Sequence, residues 1–566
     1  MDDTKTQPNA ATVLVVGSGI TGLMTAYRMA VAGYSVKVVS KSPDPREAHQ
    51  GTRYDSSTWD GYVNRYITLT EGHPYLDLPG YISVMYPDIG QDFRTEIAQG
   101  GMLAMPMREW GALTQAFLHE RLRANEDQAA TLQLFQTYVD ENRASMELWY
   151  ELLTEAVLHY PELAEALSLH THGIDRFYDE AHLYEGAARS QQAEQIVKQR
   201  YSVEQLLCHP DFQLYREGIA QHGFIRGGAI TMYGLAFDVQ ALGRAWLLRE
   251  LDQRGVELCF GPEYEVLGME RDAAGAVMGV RTLNGALHSA RHICFHSGAY
   301  SKPEVFKGTA AYGKLAGVKG LWMRIKHAQQ LFGSAEHAPR PNKIHGGKYA
   351  VEIGGQTYQG QVADLNIMPK FNSDGSWELV IGSGYLFVGI YPFEADLELG
   401  EPQPIAALEQ QRRARVQLAE ELALRAFVQV VERMYNLEID LEAVRAGTHP
   451  QIDLPSRGCV RSWTPDDNEL RVILPTAQGG ILLIDGGGNT GSTTKAPFNS
   501  EVARQFVQSL DAATGPLPPL ATLEASYAAM RGSLRRTREQ LPAERWQELE
   551  DTLNASIELA SAVLSA

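Results

Sequence analysis

The residues Ala11 to Val16 are apolar and β-branched with no polar alternation, the pattern of a strand buried on both faces. After a short glycine-rich turn, Leu23, Ala26, Tyr27 and Ala30 recur at helical spacing, and Gly33 ends that helix. Ser35 to Val39 then reads as a second strand. From Ser42 to about Ile97 the pattern breaks into Pro, Gly, Asp and aromatic positions, among them Tyr54, Trp59, Tyr62, Tyr66 and Tyr75. An irregular stretch of that length is more often functional than idle, as a lining or lid of a substrate entrance, or else it is an appendage packed on the domain. Ala98 to Pro106 is a small-residue turn running into an apolar segment. Residues from about 110 to 223 read as amphipathic helices, with stripes at Leu113, Ala116 and Phe117 and at Leu132, Leu134, Phe135 and Tyr138.

Beyond that segment the periods mix. Leu242, Trp246 and Leu251 lie on one helix, while 255–258, 264–268, 277–282 and 291–295 alternate as strands. Residues 315 to 395 read as antiparallel sheet, a long amphipathic helix runs from Ile405 to Met434, and another from about Asn499 to Leu510. After Pro516-Leu517-Pro518-Pro519 the chain is expected to be helical and solvent-facing.

The turn between the first strand and helix is Gly17-Ser18-Gly19-Ile20-Thr21-Gly22, so G-x-G-x-x-G sits inside a complete βαβ unit. The first glycine makes the tight turn, the second admits a pyrophosphate against the backbone, and the third lets helix pack on strand. Phosphates then rest on the unpaired N–H groups at the positive end of the helix. This is a dinucleotide site. The second strand, however, ends in Ser40-Lys41 where an acid ordinarily receives the adenosine ribose, and a basic residue there is also compatible with a 2′-phosphate, which points to NADP.

Composition narrows the classes. A chain of 566 residues exceeds one compact core, and 44% hydrophobic with 21% charged residues is ordinary for a globular protein. A net charge of −19 disfavours nucleic acid as a partner. The four cysteines, at 208, 259, 294 and 459, are scattered and form no C-x-x-C pair, as expected in a reducing compartment. No apolar signal core opens the chain and no stretch reaches the length of a membrane span, so a cytoplasmic location is expected. Metal-ligand spacing, H-E-x-x-H and the G-x-S-x-G elbow are all missing from the sequence.

Five stretches in this order resemble the D-amino acid oxidase, glycine oxidase and sarcosine oxidase superfamily of flavoenzymes: the N-terminal βαβ unit; Gln99 to Ala104; Asp238 to Val266; Ser297-Gly298-Ala299-Tyr300-Ser301; and Cys459 to Asp466 with Gly486 to Pro497. The resemblance implies an α/β fold, with a discontinuous Rossmann-type FAD-binding domain (11–46, 97–108, 225–310 and 446–510) and an antiparallel-sheet substrate domain. Around these lie an aromatic-rich insertion (47–96), a helical segment (109–224) with the substrate domain at 311–445, and a C-terminal helical extension (511–566). It also resolves the cofactor in favour of FAD. The residues implied to hold it are Gly17, Gly19, Ile20, Thr21, Gly22, Ser40 and Lys41; Gly100, Gly101, Met102 and Leu103; Val266 and Gly298; Cys459; and Gly487, Gly488, Asn489, Thr490 and Gly491.

Two residues carry the catalytic expectation, Arg461 and Tyr385. The resemblance implies that Arg461 grips a substrate carboxylate, for which its fork of donors is suited, while an ion pair with Asp466 or Asp467 is the plainer role. Tyr385, beside Gly382-Ser383-Gly384, is placed to donate to the same carboxylate or to pack within its strand. Cys459 stands seven positions before Asp466, as does the cysteine that bonds the flavin 8α carbon in the sarcosine-oxidase branch; a small buried hydrophobe is its other reading. That branch's oxygen-activating lysine has no match near residues 382–385. His345 reads as a surface histidine, with a place in the pocket as the alternative.

The implied activity is oxidation of the C–N bond of a small-molecule amine or amino acid by hydride transfer to flavin. It gives an imine and, with oxygen as acceptor, hydrogen peroxide; another acceptor would make the enzyme a dehydrogenase. An NAD(P)H-dependent flavin monooxygenase acting on a specialised metabolite and a non-catalytic flavin-binding protein are the competing readings.

Overall fold

The computed structural model describes residues 12–46, 64–67, 102–124, 128–181, 184–185, 196–223, 225–332, 339–345, 348–362, 365–372, 374–395, 406–454, 460–466, 468–487, 491–513, 515–536 and 542–565. The first sheet is built from β1 (Val13–Val16), β2 (Val36–Ser40), β3 (Glu257–Phe260), β4 (His292–Ser297), β5 (Leu470–Pro475) and β6 (Ile481–Gly486), in the spatial order β5-β6-β4-β1-β2-β3. All neighbours run parallel except the edge pair β5–β6. Val13, Val15, Val38, Cys294 and Leu483 turn to one side, where helix α1 (Ile20–Val31) lays Leu23 and Met24 against them. Leu14, Val16, Val39, Ile293, Phe295 and Leu482 turn to the other side and into a second core. Burial on both faces is why β1 lacks polar alternation.

The second sheet has nine strands. Along its length lie Ile452–Asp453, Ala316–Ile325, Trp377–Gly389, Leu365–Phe371, Asn342–His345, Ile174–Tyr178, Gly228–Met232 and Val197–Tyr201, and Val460–Trp463 also pairs with Ala316–Ile325. Only the pair of Ile174–Tyr178 with Asn342–His345 is parallel. An α/β Rossmann-type sheet with a largely antiparallel second sheet is therefore present.

Several boundaries differ from the sequence expectation. The segment expected to be all helix after residue 109 contributes two strands, Ile174–Tyr178 and Val197–Tyr201. The first hid its period because Asp175 and Arg176 are buried along with the apolar residues. Gly228–Met232, Ile452–Asp453 and Val460–Trp463 fall within ranges assigned to the cofactor domain, yet they belong to the second sheet. Of the 47–96 insertion, only Asn64–Ile67 lies within the described residues, as a strand paired with Leu235–Asp238.

The C-terminal extension is helical but not merely solvent-facing. Helices α2 (Gln128–His159), α3 (Gly491–Ala512), α4 (Leu520–Arg536) and α5 (Ala543–Ser565) pack on one another. Leu523, Tyr527 and Arg531 form a buried stripe on α4, and Trp546, Leu549 and Leu553 form another on α5. Arg531 donates to both oxygens of Glu141 on α2, at 3.1 and 2.8 Å, and to Asn499 on α3 at 3.0 Å. Arg471 and Lys495 approach the same carboxylate at 2.9 and 3.2 Å. Burial alone would raise the Glu141 pKa, but Arg471, Arg531 and Lys495 outweigh it and hold the group well below the usual carboxylate range. Truncating one member of such a network strands buried charge. Arg531→Met is expected to destabilise the protein by about 3 kcal/mol, read as a lower urea midpoint with unchanged slope.

Burial also keeps three histidines neutral. His170 and His296 are each pushed down to about 4, and His345 lies well below its ordinary value, with Lys343 and Arg176 adding to the effect. His345 is thus a core residue, 2% exposed and stacked on Tyr178 at 5.0 Å, not a surface one. A depressed imidazole pKa means the folded state binds fewer protons than the unfolded chain between about 4 and about 6.5. The stabilisation is complete above about 6.5 and is lost as pH falls through that window. Asp485, raised by burial and by Glu469, and Asp175, raised by burial, act with the opposite sign, but they are two groups against five, since burial lowers His288 and His292 as well. The melting temperature is expected to be several degrees lower at pH 5 than at pH 7; an equal or higher value at pH 5 would contradict this assignment.

Candidate functional site

A cleft opens where the carboxyl ends of β1, β2 and β4 meet the edge of the second sheet, at the place such folds bind ligands. Its floor is the glycine turn. Gly17 has φ +103°, and a Cβ there would stand 2.8 Å from the carbonyl oxygen of His296. A Cβ on Gly22 would stand 2.0 Å from the carbonyl oxygen of Gly17, so the third glycine is fixed by backbone against backbone. Helix α1 begins at Ile20 after Gly19, which offers no side-chain cap, so its first amide N–H groups are left for a ligand. On the opposite wall Gly486, at φ +147°, comes so near β4 that a Cβ would lie 2.3 Å from the carbonyl oxygen of Ser297.

At the end of β2, Ser18 and Ser40 are hydrogen-bonded through their hydroxyls at 2.8 Å. Lys41 is committed: its ammonium donates to Glu265 at 3.1 Å and to the carbonyl of Tyr300 at 2.6 Å, and it lies 4.5 Å from the ring centre of Tyr391. Lys302 donates to the other oxygen of Glu265 at 2.9 Å. Burial opposes ionisation of Glu265, but Lys41 and Lys302 lower its pKa on balance. A carboxylate missing from β2 therefore enters the cleft wall from the turn after β3, at Glu265 beside Val266, and it pairs with the lysine that suggested a 2′-phosphate.

Arg461 lies in Val460–Trp463 opposite Val318, and it lines the cleft. Its guanidinium is seated over Gly384, where a Cβ would lie 3.2 Å from Nη1. Among the described residues Arg461 has no ion-pair partner, Asp466 included; Asp466 instead accepts from the backbone N–H of Asn468 at 3.2 Å.

The cleft thus gathers Gly17, Gly19, Ile20, Thr21, Gly22, Ser40, Lys41, Val266, Gly298 and Arg461. Met102 and Leu103 do not line it: Leu103 is buried in the core of the second sheet and bridges to Phe387, whose N–H donates to the carbonyl of Met102 at 3.1 Å. Gly487 lies just past the cleft wall, where a Cβ would press on Leu315, and Gly491 opens helix α3. Gly100, Gly101, Cys459, Gly488, Asn489 and Thr490 lie outside the described residues, and so does the side chain of Tyr385 on Trp377–Gly389. His296, Glu265, Glu469, Thr493 and Asn499 were missed by the sequence reading although they line the cleft. Of these only His296 and Glu265 carried a signal, as polar residues beside strand positions that were otherwise apolar.

These features suit FAD: a glycine floor no side chain can enter, open amides at a helix N-terminus, and a buried Ser297 hydroxyl without a partner among the described residues. Among those residues no group of metal-ligating side chains is present, and no helix is long and apolar enough to cross a membrane. The architecture and its cleft define a dinucleotide-binding fold of the Rossmann class. Residues 12–379 match the family described as FAD dependent oxidoreductase, and the chain belongs to that family. Among solved structures, it is similar to fructosyl peptide oxidase from E. terrenum (14% identity, 90% of this chain and 91% of that one, TM-score 0.48). It is also similar to glycine oxidase from Bacillus cereus ATCC 14579 (12%, 91% and 97%, 0.47) and to iminodiacetate oxidase from Chelativorans sp. BNC1 (14%, 90% and 98%, 0.45). Comparison with curated proteins gives no match.

Proposed function

We propose that this FAD-dependent oxidoreductase oxidises the C–N bond of an amino acid or a related amine bearing a carboxylate. The observation that carries the reading is Arg461, a guanidinium without an ion-pair partner among the described residues, in the wall of the same cleft as the glycine floor. A forked cation fixes a carboxylate in two-point contact and so sets the orientation of the carbon beside it. Gly384 leaves room for that fork, and the half-buried setting of Arg461 strengthens the contact relative to one in open water. Bound FAD supplies the hydride acceptor and the route of electrons onward to oxygen or another acceptor. The imine product is hydrolysed by water.

The NAD(P)H-dependent reading is disfavoured by Lys41, whose charge is already met by Glu265. The purified protein, supplied with carboxylate-bearing amines in air, is expected to release hydrogen peroxide and carbonyl product in equal amounts. Carbonyl product without peroxide would assign it to the dehydrogenases. Turnover that depends on NADPH, with oxygen incorporated into product, would overturn the proposal.

A further inference from the structure

Arg461 has no ion-pair partner among the described residues, so the strand that carries it sets where its fork lies. That strand, Val460–Trp463, is four residues long and pairs with Ala316–Ile325, the register ending at Trp463 opposite Ala316. At its start Val460 presses on Gly317, where a Cβ would stand 2.6 Å from the valine Cγ1. At its other end the chain leaves the ladder, and a second arginine meets it there. Arg121, on the helix Ala112–Ala124, is fully buried. Its Nη1 donates to the carbonyl of Thr464 at 2.8 Å, and its guanidinium lies 4.5 Å from the centre of the Trp463 ring.

Side chains two apart on a strand share a face, so Trp463 is the next side chain along from Arg461 on the same face. Trp463 and Thr464 are both buried, and Thr464 in turn abuts Gly487, where a Cβ would lie 3.0 Å from its Cγ2. The end of the strand is thus wedged between Arg121 and the turn after β6. The helix behind it is fixed to the second sheet, with Phe117 stacked on Phe387 at 6.0 Å. A guanidinium taken out of water is costly, and an apolar side chain would fill this space without that cost. What the arginine adds is directional. A donor on a carbonyl beyond the ladder and a flat cation over the indole fix both the position of the strand along its axis and its rotation.

We propose that Arg121 is a positioning residue for the substrate: by holding Trp463 and Thr464 it sets the reach and direction of the Arg461 fork over Gly384. It does so without touching substrate or FAD, since Arg121 is not among the residues that line the cleft. This inference rests on the reading of Arg461 as the carboxylate fork. Two parallel N–H···O bonds tolerate little displacement, and a fork that slides or turns keeps one of them at most. The uncharged body of the substrate is under no such constraint. Loss of the brace therefore falls on recognition of the carboxylate and leaves the flavin on its glycine turn.

The test is a double-substitution cycle in the flavin-loaded, full-length protein. The probes are propionate and phenylacetate, with propionamide and phenylacetamide as their uncharged counterparts. Binding is read from the shift of the flavin absorbance band, so no turnover is involved. Arg121→Gln can still donate to Thr464 but brings no cationic plane to Trp463. It is expected to weaken the acids by roughly 5- to 20-fold and the amides by less than about twofold, at unchanged FAD content. Trp463→Phe loosens the same contact from its other side and is expected to act in the same direction, by about threefold. In Arg461→Met the acids are expected to be weaker by roughly 30- to 300-fold, and adding either brace variant should cost less than about twofold more. Losses that multiply, or that fall equally on acids and amides, overturn the proposal. So does a flavin-loaded Arg121→Gln or Trp463→Phe that binds the acids as tightly as the unsubstituted protein, and these outcomes leave the role of Arg461 standing. Acids that do not bind, or that Arg461→Met binds unchanged, overturn the carboxylate reading and this inference with it.

Discussion

Gly22→Val is expected to give a colourless protein. A Cβ at this position would sit 2.0 Å from the carbonyl oxygen of Gly17, and the obstruction is backbone, so no rotamer change relieves it. The α1 N-terminus must swing away from the turn, and the amides that gather the diphosphate are displaced with it. Gly17 offers no slack, since it already holds φ +103° with its own Cβ direction aimed at the carbonyl of His296. Losing several charge-assisted hydrogen bonds together removes on the order of 4 kcal/mol of cofactor binding, about a thousandfold in affinity. The measurement is the flavin absorbance per mole of protein after desalting. A yellow protein with unchanged FAD content would show that the cofactor does not rest on this turn.

The second large effect is expected at Arg461. Arg461→Met keeps the length of the side chain and removes the fork. FAD content should stay the same, because the glycine floor is untouched. Flavin reduction by the best carboxylate-bearing amine should slow by roughly 100- to 1000-fold, in line with the ~2–5 kcal/mol attached to truncating one side of a desolvated, hydrogen-bonded charge pair. The matching amine lacking a carboxylate should be affected by less than about threefold, since it makes no contact with the fork. Equal losses for both substrates would make Arg461 a structural residue. Rescue by Lys should be partial, because a point charge restores attraction but not two-point geometry.

The parts of this molecule legible in the sequence are those in which local pattern and tertiary role agree. Residues 13–16, buried on both faces, and the G-x-G-x-x-G turn after them were readable because close packing permits little else there. The helix at 406–435 was readable from its period alone. The strand Ile174–Tyr178 was not, since its two charged residues are buried and satisfied by partners distant in sequence, such as Arg340 and Thr231 on Asp175. The C-terminal helices read as solvent-facing because a stripe containing Tyr527 and Arg531 looks polar until Glu141 is set against it. The cleft itself was half visible. Glycines and Arg461 announce themselves by type and spacing, whereas Glu265 acquires its place only when β3, which leads into its turn, is laid beside β2, and His296 only when β4 is laid beside β1. Non-local pairing creates these sites, and linear spacing does not encode it.

The same logic bears on Ser40. A chain that lacks the acid at the end of β2 retains a carboxylate in that wall by bringing in Glu265, with Lys41 and Lys302 holding it ionised. The arrangement sets one carboxylate between two ammonium groups at the end of β2.

The central claim is that this cleft holds FAD and that a carboxylate-bearing amine reduces it. The most direct measurement is the visible spectrum of the purified protein, recorded without oxygen before and after addition of a panel of amines and amino acids. Bleaching of the flavin band by carboxylate-bearing members, and recovery on admitting an electron acceptor, is the predicted result. A flavin that no amine bleaches but NADPH does, or a protein that carries no flavin and binds none, would contradict the account.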